Sequence, residues 1–280
     1  MKKLAVLGHP IGHTLSPLMH NASINALGLD GEYEYGKLDV PPGQLMERLV
    51  QFPDEGYAGV NLTIPLKEVA FQGLDVLDES ARILGAVNTV EFSENGLIGH
   101  NTDGYGFLKA LEEAFGKSAE GDHVFVLGCG GAGRAVALMA AFDGAKSITL
   151  ADVDLKRMSD LKEEMAKKTP NVTVQFASEA SKFKQCREAG LVIQASPVGM
   201  KKEDGSLLPA EAFGEGQRVF DLIYMYPETA FLSTAKAEGA QIANGLGMLL
   251  HQGAKAFEIW TGKQPDVAAM RDALEKAVYS

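Results

Sequence analysis

The chain has 280 residues, of which 46% are hydrophobic, and its formal net charge is −11 at pH 7. This length and apolar content suit two globular domains and exclude a disordered or fibrous protein. A surface this acidic repels a phosphate backbone, so we expect no nucleic-acid partner, although a lysine in a pocket still allows a small anionic ligand.

The first hundred residues predict strands alternating with helices. Leu4–Leu7 is a short buried strand, and Ser16-Pro17 marks a helix start, with Ser16 as N-cap, that runs to about Leu27. The further predicted elements are a strand at Tyr33–Val40, a helix that follows Pro41-Pro42-Gly43 and runs to about Phe52, a strand at Gly59–Ile64, and a hairpin of Val87–Phe92 and Leu97–Asn101 about the turn Ser93-Glu94-Asn95-Gly96.

The second half predicts a parallel sheet. A helix at Asp103–Phe115 and a small polar linker, Gly116–Gly121, precede a strand at His123–Leu127. Strands and helices then alternate, which indicates right-handed βαβ units. These elements are Ser147–Leu150, Leu155–Lys168, Val172–Phe176, Glu179–Ala189, Leu191–Ala195, Arg218–Tyr224, Thr229–Glu238 and Gln241–Ala243, followed by two helices at about Leu246–Trp260 and Asp266–Val278. The sequence therefore predicts an α/β fold whose domains change before His123.

A glycine-rich loop follows the strand at His123–Leu127. Gly128-Cys129-Gly130-Gly131-Ala132-Gly133 matches G-x-G-x-x-G, a helix of small apolar residues follows it, and Asp152 ends the next strand. The glycines allow a tight turn and close approach of a pyrophosphate, which the free N–H groups of the helix N-terminus can bind. The alternative is a tight turn without a ligand. The complete context favours a dinucleotide cofactor.

Polar residues cluster beside strand ends and turns in the N-terminal half. Two hydroxyls before a helix suit a carboxylate or a polyol, and period-2 geometry puts Asn61 and Thr63 on one face of their strand. Each residue also has an ordinary structural interpretation, such as a helix cap for Ser16 or Asp103 and a solvated surface side chain for Lys67. The residues concerned are Thr14, Ser16, Asn61, Thr63, Lys67, Asn88 and Asp103.

The histidines and cysteines indicate no metal site. Six histidines and two cysteines, Cys129 and Cys186, lack metal-ligand spacing, and the cysteines suit a reducing compartment. The apolar run at Leu4–Leu7 is too short for a signal peptide or a membrane span. We therefore expect a cytoplasmic protein without a metal or a membrane partner.

Several motifs together resemble the shikimate dehydrogenase family over nearly the whole chain. They occur in the family's order, beside the glycine-rich loop. The motifs are Gly8-His-Pro-Ile-Gly-His-Thr-Leu-Ser-Pro-Leu-Met-His-Asn21, Gly59-Val-Asn-Leu-Thr-Ile-Pro-Leu-Lys-Glu68, Gly85-Ala-Val-Asn-Thr89, Asn101-Thr-Asp-Gly104, Gln194-Ala-Ser-Pro-Val-Gly-Met200, Phe220-Asp-Leu-Ile-Tyr224 and Asn244-Gly-Leu-Gly-Met-Leu-Leu-His-Gln252.

The resemblance implies an N-terminal α/β substrate domain at 1–103 and a Rossmann-type, doubly wound cofactor domain at 104–245, with the helices of 246–280 packing back on the first. It implies reversible hydride transfer between a nicotinamide cofactor and 3-dehydroshikimate or shikimate in aromatic amino acid biosynthesis. Lys67 and Asp103 match the family's catalytic pair. The implied substrate contacts are Thr14, Ser16, Asn61, Thr63, Asn88, Tyr224 and Gln252, and the implied cofactor contacts are Gly128, Cys129, Gly130, Gly131, Ala132, Ser196, Leu222, Gly245 and Met248.

Two departures from the family bear on specificity. Thr14 stands where the family usually has Ser, and its added methyl narrows the carboxylate pocket. Ala151-Asp152-Val153-Asp154 stands where NADP-using members tend to have Asn-Arg-Thr, so we expect NAD to be preferred over NADP, with Asp152 on the adenosine ribose. Two alternatives remain: an NAD-dependent quinate/shikimate dehydrogenase, and a non-catalytic dinucleotide-binding module. We expect a monomer or a homodimer.

Overall fold

The computed structural model describes residues 1–12, 14–94 and 96–280; His13 and Asn95, which belong to the opening motif and the hairpin turn, lie outside the described residues. The chain divides into two compact units. The first unit contains residues 1–106, 249–278 and 280, and the second contains residues 107–248 and 279. No helix among the described residues is both long enough and apolar enough to cross a membrane.

The first unit is built around a mixed six-stranded sheet. Its elements are β1 (Lys2–Gly8), α1 (Ser16–Ala26), β2 (Tyr33–Asp39), α2 (Leu45–Gln51), β3 (Tyr57–Leu62), α3 (Leu66–Gly73), β4 (Val76–Leu77), α4 (Glu79–Leu84), β5 (Thr89–Ser93), β6 (Gly96–His100), the start of α5 (Asp103–Phe115), and most of α10 (Leu246–Thr261) and α11 (Val267–Tyr279). The strand order is β2-β1-β3-β5-β6-β4. Strands β1, β2 and β3 are parallel, and β5 is antiparallel to both β3 and β6.

Strand β1 is apolar from Leu4 to Leu7 because both faces of the sheet are covered there. Ala5 and Leu7 belong to one apolar cluster, and Leu4 and Val6 belong to another that includes Trp260 of α10. The indole N–H of Trp260 donates to the Val90 carbonyl at 3.0 Å, and a side chain at Gly59 would overlap the indole ring. The close packing of α10 on the sheet therefore depends on glycine at this position.

The second unit contains a six-stranded, all-parallel sheet. Its further elements are β7 (His123–Leu127), α6 (Gly131–Phe142), β8 (Ser147–Ala151), α7 (Leu155–Lys168), β9 (Thr173–Phe176), α8 (Lys182–Arg187), β10 (Leu191–Gln194), β11 (Arg218–Asp221), α9 (Ala230–Ala237) and β12 (Gln241–Asn244). The order β9-β8-β7-β10-β11-β12 is the doubly wound dinucleotide-binding arrangement, with its switch point between β7 and β10. The predicted fold class is confirmed.

The structure differs from the sequence-based prediction at the start of α1, at helices α3 and α4, and at the end of β11, among other places. The N-cap of α1 is Leu15, so Ser16 is the first residue of the helix and does not cap it with its side chain. Helices α3 and α4 are absent from the prediction, because each is too short to show a clear helical period. The predicted strand Arg218–Tyr224 ends at Asp221, because the Asp221 carboxylate accepts the N–H of Ile223 and turns the chain.

Candidate active site

The first unit brings Lys67 and Asp103 into an ion pair. Lys67 is the second residue of α3, and Asp103 is the first residue of α5. The ammonium Nζ lies 2.6 Å from Asp103 Oδ2, although the two residues are 36 positions apart in sequence. Their side chains are 31% and 20% exposed, so the pair is accessible to a small ligand but partly shielded from water. This arrangement can hold a proton donor in a fixed place.

Asn88 orients the other oxygen of Asp103. The backbone N–H of Thr102 lies 2.8 Å from Asn88 Oδ1, and because a backbone N–H can only donate, this contact identifies the oxygen of the amide. The amide nitrogen therefore faces Asp103 Oδ1 at 2.9 Å. Asn88 is only 2% exposed, so the carboxylate has a partner for each oxygen and little rotational freedom.

Asn101 ties the start of α5 to the loop between α4 and β5. Its Oδ1 accepts the N–H of Asp103 at 2.9 Å, and its amide nitrogen donates to the Ala86 carbonyl at 2.8 Å. The Val87 N–H in turn donates to the Lys67 carbonyl at 3.0 Å. The helix starts that carry the two charged groups are thus connected through one short segment of backbone.

Gln252 of α10 also belongs to this group in the first unit. Its Oε1 lies 3.4 Å from the Asn88 amide nitrogen, and its own amide nitrogen donates to the Leu249 carbonyl at 2.8 Å. The structure thereby brings together Lys67, Asn88, Asp103 and Gln252 out of the residues predicted from the sequence.

Asn61 is a buried residue whose side chain is fully hydrogen-bonded inside the protein. Its amide nitrogen donates to the Asn88 carbonyl at 3.1 Å and to Thr89 Oγ1 at 3.0 Å, and its Oδ1 accepts the Tyr35 hydroxyl at 2.7 Å. Asn61 is 5% exposed. Both amide hydrogens are therefore used inside the protein, and the side chain supports the loop that carries Asn88.

Tyr35 is a buried member of this network that the sequence-based prediction missed. It stacks on His20 with a ring-centroid distance of 4.1 Å, and burial lowers the pKa of His20 to about 3, so this ring is neutral. The missed signal was the alternation of buried and exposed residues in β2, which turns Tyr33 and Tyr35 inward. Thr89 and Thr102 were also missed, although they stand beside predicted residues in the same motifs.

Thr14 and Ser16 form the second polar group of the first unit. Thr14 Oγ1 lies 3.2 Å from Ser16 Oγ and accepts the N–H of Ser16 at 3.3 Å. Both residues are half-buried at the N-terminus of α1, where helix N–H groups lack intrahelical acceptors. Thr63 directly follows β3. Hydroxyls beside a helix N-terminus suit an anionic group such as a carboxylate.

The glycine-rich loop of the second unit fits a dinucleotide pyrophosphate. Gly128 has a φ of +92°, and a side chain at Gly133 would overlap the Gly128 carbonyl oxygen. At Gly130, the nearest atom to an added Cβ would be Arg157 Nη1 at 3.8 Å, so the loop surface there is open. Helix α6 begins at Gly131 and directs its free N–H groups toward this surface.

Asp152 follows β8 beside this loop. Its Oδ2 accepts the N–H of Cys129 at 2.6 Å, and its Oδ1 accepts the N–H of Asp154 at 2.8 Å. Asp154 caps α7 by accepting the N–H groups of Lys156 and Arg157. Burial and the Asp152 charge raise the pKa of the Cys129 thiol to about 12, so Cys129 contributes backbone and volume and is not a reactive thiol.

The remaining predicted residues of the second unit follow β10, β11 and β12, in loops except for Met248, which lies in the first turn of α10. The Ser196 N–H donates to Gln194 Oε1 at 2.6 Å, and the Leu222 N–H donates to the Gln194 carbonyl at 2.9 Å. Gly245 packs on Leu222 so closely that any side chain would overlap the Leu222 carbonyl. Met248 and Tyr224 are half-buried in this unit, and burial raises the pKa of the Tyr224 phenol.

Asp221 ends β11 and is fully buried, a feature with a measurable consequence for stability. Burial raises the pKa of its carboxyl from 3.8 to about 6. The folded state holds this proton more tightly than the unfolded state, so the stabilising contribution is complete below the unfolded pKa and is lost as the pH rises through about 6. A rise in pKa of this size corresponds to about 3 kcal/mol.

Asp221→Asn is therefore expected to gain stability relative to the wild type as the pH rises from about 4 to about 8, by up to about 3 kcal/mol. The measurement is the free energy of unfolding in urea at several pH values for both proteins. A difference between the two proteins that does not change with pH would contradict this prediction.

Among the described residues, no group of three or more histidine, cysteine, aspartate or glutamate side chains could hold a metal ion. The groups that the structure assembles are an ion pair with amide partners in the first unit and a glycine-rich phosphate-type loop in the second. Each lies within one unit and can be considered separately.

Two family models match the chain. Residues 6–90 match the shikimate dehydrogenase substrate-binding domain, and residues 245–275 match the shikimate 5'-dehydrogenase C-terminal domain. Among curated relatives, a shikimate dehydrogenase (NADP(+)) of Thermus thermophilus is 41% identical over 99% of both chains. The protein of the same name from Methanopyrus kandleri is 40% identical over 97% of this chain and 94% of its own.

Solved structures agree over the full length. The Thermus thermophilus shikimate 5-dehydrogenase with NADP(H) and shikimate has a TM-score of 0.85 at 40% identity and covers 99% and 100% of the two chains. The Listeria monocytogenes shikimate 5-dehydrogenase with shikimate and NAD has a TM-score of 0.90 at 35% identity and covers 98% and 96%. The Corynebacterium glutamicum quinate dehydrogenase with NAD has a TM-score of 0.89 at 31% identity and covers 98% and 99%.

The fold, the glycine-rich loop and these comparisons agree on a dehydrogenase that uses a nicotinamide cofactor. Identity near 40% over nearly the full length of both chains is sufficient to show the family. The chain belongs to the shikimate dehydrogenase family.

Proposed function

We propose that this chain catalyses the reversible conversion of 3-dehydroshikimate to shikimate, with Lys67 and Asp103 as its catalytic residues. The observation that carries the proposal is the 2.6 Å ion pair between Lys67 Nζ and Asp103 Oδ2, held in place by Asn88. A bound nicotinamide dinucleotide would supply or accept the hydride. The residues of this chain would bind and align the substrate and transfer one proton to or from it.

Lys67 would act on the C3 oxygen of the substrate. When the carbonyl is reduced, negative charge develops on this oxygen, and an ammonium group can donate a hydrogen bond and then a proton to it. An ammonium has three N–H donors, and one of them is directed at Asp103. Asp103 would hold the lysine in place. With a remaining lone pair it would accept a hydrogen bond from a hydroxyl group of the substrate.

The amide side chains would hold the ring hydroxyls. Asn88 and Gln252 lie on the same side of the first unit as the ion pair, and their polar atoms are 3.4 Å apart. A ligand with neighbouring hydroxyl groups can use both amides together with the Asp103 carboxylate. Asn61 would act through Asn88, because its amide hydrogens are used inside the protein.

Thr14, Ser16 and Thr63 would bind the substrate carboxylate. Removing one hydrogen bond to a charged group costs about 1.5–3 kcal/mol, which corresponds to a KM increase of about ten- to 150-fold. We therefore expect Ser16→Ala and Thr14→Val to raise the KM for shikimate. Because Leu15 is the N-cap of α1, Ser16→Ala should lose little stability.

Steady-state kinetics with shikimate as the varied substrate test this carboxylate prediction. The KM for the dinucleotide in the same variants is the internal control and should stay within about twofold of the wild type. An unchanged KM for shikimate in both variants would show that the carboxylate binds elsewhere.

The second unit would hold the cofactor. The loop of Gly128–Ala132 and the N-terminus of α6 would bind the pyrophosphate, and Asp152 would accept the adenosine ribose hydroxyls. Ser196, Leu222, Gly245 and Met248 follow the C-terminal ends of their strands, where open α/β sheets bind ligands.

We further propose that the chain prefers NAD and accepts NADP less well. The names of the curated relatives specify NADP(+) and favour the opposite choice. The local residues of this chain favour NAD, because Asp152 presents a negative charge where NADP carries its 2'-phosphate. Two similar structures, the Listeria and Corynebacterium enzymes, contain NAD.

A second candidate is the oxidation of quinate, which the structural similarity to the Corynebacterium quinate dehydrogenase supports. Quinate keeps the carboxylate and the ring hydroxyls, so the same residues would bind it. The test of both candidates is an initial-rate grid of shikimate or quinate, each with NAD or NADP. No turnover in any of the four combinations would contradict the proposed function and favour a non-catalytic dinucleotide-binding module.

Three further predictions concern the partners, the oligomeric state and the localisation of the enzyme. We propose that its partners are its small-molecule substrates, that it is a monomer or a homodimer, and that it is cytoplasmic. The boundaries at 103 and 245 and the substrate and cofactor roles of the two domains are likewise proposals.

A further inference from the structure

Three neighbouring strands of the second unit end in a polar side chain at the same level of the sheet. Gln194 of β10 pairs in register with Asp221 of β11, which pairs with Asn244 of β12. Each side chain accepts an N–H from the loop after its own strand: Ser196 N–H at 2.6 Å, Ile223 N–H at 3.0 Å and Leu246 N–H at 3.1 Å. These loops carry the predicted site residues Ser196, Tyr224 and Gly245.

Asp221 is the only one of the three that can carry a charge, and it is fully buried. Burial of a carboxylate costs free energy unless the group is well paired. The two other positions show that a neutral amide can hold a loop of this kind. The presence of a carboxylate at the central strand therefore requires a specific reason.

Two donors that point at different oxygens supply this reason. The Ile223 N–H donates to Oδ1, and the Thr229 hydroxyl donates to Oδ2 at 2.6 Å. Thr229 Oγ1 also accepts the N–H of Leu232 at 3.3 Å as the N-cap of α9, so its own proton is available to Asp221. An asparagine would present an N–H₂ group to one of these donors, whereas a carboxylate accepts both.

The segment held in this way, residues 222–224, is fixed at several points. The Leu222 N–H donates to the Gln194 carbonyl at 2.9 Å, and the Ile223 carbonyl accepts the Gly245 N–H at 3.2 Å. Asp221 accepts the Ile223 N–H, which lies between these two contacts along the backbone. Tyr224 follows directly, so the direction of its side chain depends on the backbone at Ile223.

We infer that Asp221 is a positioning residue of this enzyme, which acts by holding residues 222–224 so that Tyr224 can reach the substrate. The inference rests on the proposed function and on the substrate contact of Tyr224, which the family resemblance implies. It predicts that loss of the Asp221 contacts weakens substrate binding only as long as Tyr224 has its hydroxyl.

A double-mutant cycle in the full-length enzyme tests the inference. Tyr224→Phe and Asp221→Asn are each expected to raise the KM for shikimate by about three- to tenfold, the usual range for one hydrogen bond. Asp221→Asn should have less than about a twofold further effect in the Tyr224→Phe background, because residues in one network are not additive. Multiplied effects in the double variant, or an unchanged KM in Asp221→Asn, would overturn the inference.

Thr229 provides a second pair of variants in case Asp221→Asn folds poorly. Thr229→Ser keeps the hydroxyl and should keep the KM of the wild type, whereas Thr229→Val should raise it in the same direction as Asp221→Asn. Asp143→Asn is the matched control for loss of a loop-bracing aspartate, because Asp143 accepts the Ala119 N–H at 2.7 Å in a different loop of the same unit. Asp143→Asn should leave the KM for shikimate unchanged. Equal effects of Thr229→Ser and Thr229→Val on this KM would overturn the inference.

Hydrogen exchange separates a failure of the inference from a failure of the proposed function. The amides of residues 222–226 should exchange faster in Asp221→Asn than in the wild type and in Asp143→Asn, without any substrate present. Unchanged exchange would overturn the inference even in an active enzyme. No turnover of shikimate by the wild type would contradict the proposed function and with it the role of Tyr224 toward that substrate, while the exchange result still decides whether Asp221 holds the segment.

Discussion

Lys67→Ala is expected to lower kcat by about 10²- to 10⁴-fold, the usual contribution of a positioned general acid or base. The Lys67 ammonium lies 2.6 Å from Asp103 in a partly shielded site. Its removal takes away the proton donor and leaves the Asp103 charge beside an oxygen that becomes negative during reduction. The transition state therefore loses a favourable charge and meets an unfavourable one.

Single-turnover and steady-state rates with shikimate measure this effect, and fluorescence titration measures dinucleotide binding, which should persist. Lys67→Met keeps the length of the side chain without its charge and should be as slow as Lys67→Ala. Lys3→Ala is the matched control, because Lys3 lies near the N-terminal end of β1 and contacts the ring of Tyr57. A Lys67→Ala enzyme that keeps more than about half of the wild-type kcat would show that another group supplies the proton.

The second large effect concerns the choice of cofactor. We expect kcat/KM for NAD to exceed that for NADP by about ten- to 100-fold, and Asp152→Asn to remove most of this preference. Two like charges about 4 Å apart repel by roughly 4 kcal/mol at an effective dielectric constant of 20, and solvent exposure reduces this value. The Cys129 and Asp154 N–H groups hold the carboxylate beside the glycine-rich loop.

We expect Arg157 to weaken the preference for NAD that Asp152 is proposed to cause. Its guanidinium pairs with Asp154 at 3.2 Å and lies close to the open side of Gly130, where it can attract a phosphate. Arg157→Ala should therefore reduce the use of NADP more than the use of NAD. Glu163→Gln on the exposed side of α7 is the charge-matched control for Asp152→Asn and should leave the ratio of kcat/KM for NAD and NADP unchanged. Equal or better use of NADP by the wild type would contradict the preference for NAD.

Much of the fold could be predicted because its signals are local. The apolar run of β1, the strand–glycine–helix signal at 123–133, and the alternation of strands and helices after it can each be recognised from a few neighbouring residues. The same holds for Asp154 as the N-cap of α7. The short helices α3 and α4 gave no such signal, because six to eight residues contain too few turns for a period and their formation depends on packing.

The site depended more on tertiary structure. The sequence determined which residues have suitable chemistry, namely Lys67, Asp103, Asn88 and the glycines of the loop. It did not determine that Lys67 and Asp103 form an ion pair, or that Tyr35 and Asn61 support Asn88 through hydrogen bonds. Nor did it determine that the Asp221 carboxylate holds the segment before Tyr224. Most of these contacts join residues on different elements. In the last of them, a buried side chain accepts an N–H from the loop that follows its own strand. Caps, turns and periodicity are encoded within a few residues, whereas the partner of a buried polar group is decided only when distant elements pack and remove the water that would otherwise satisfy it.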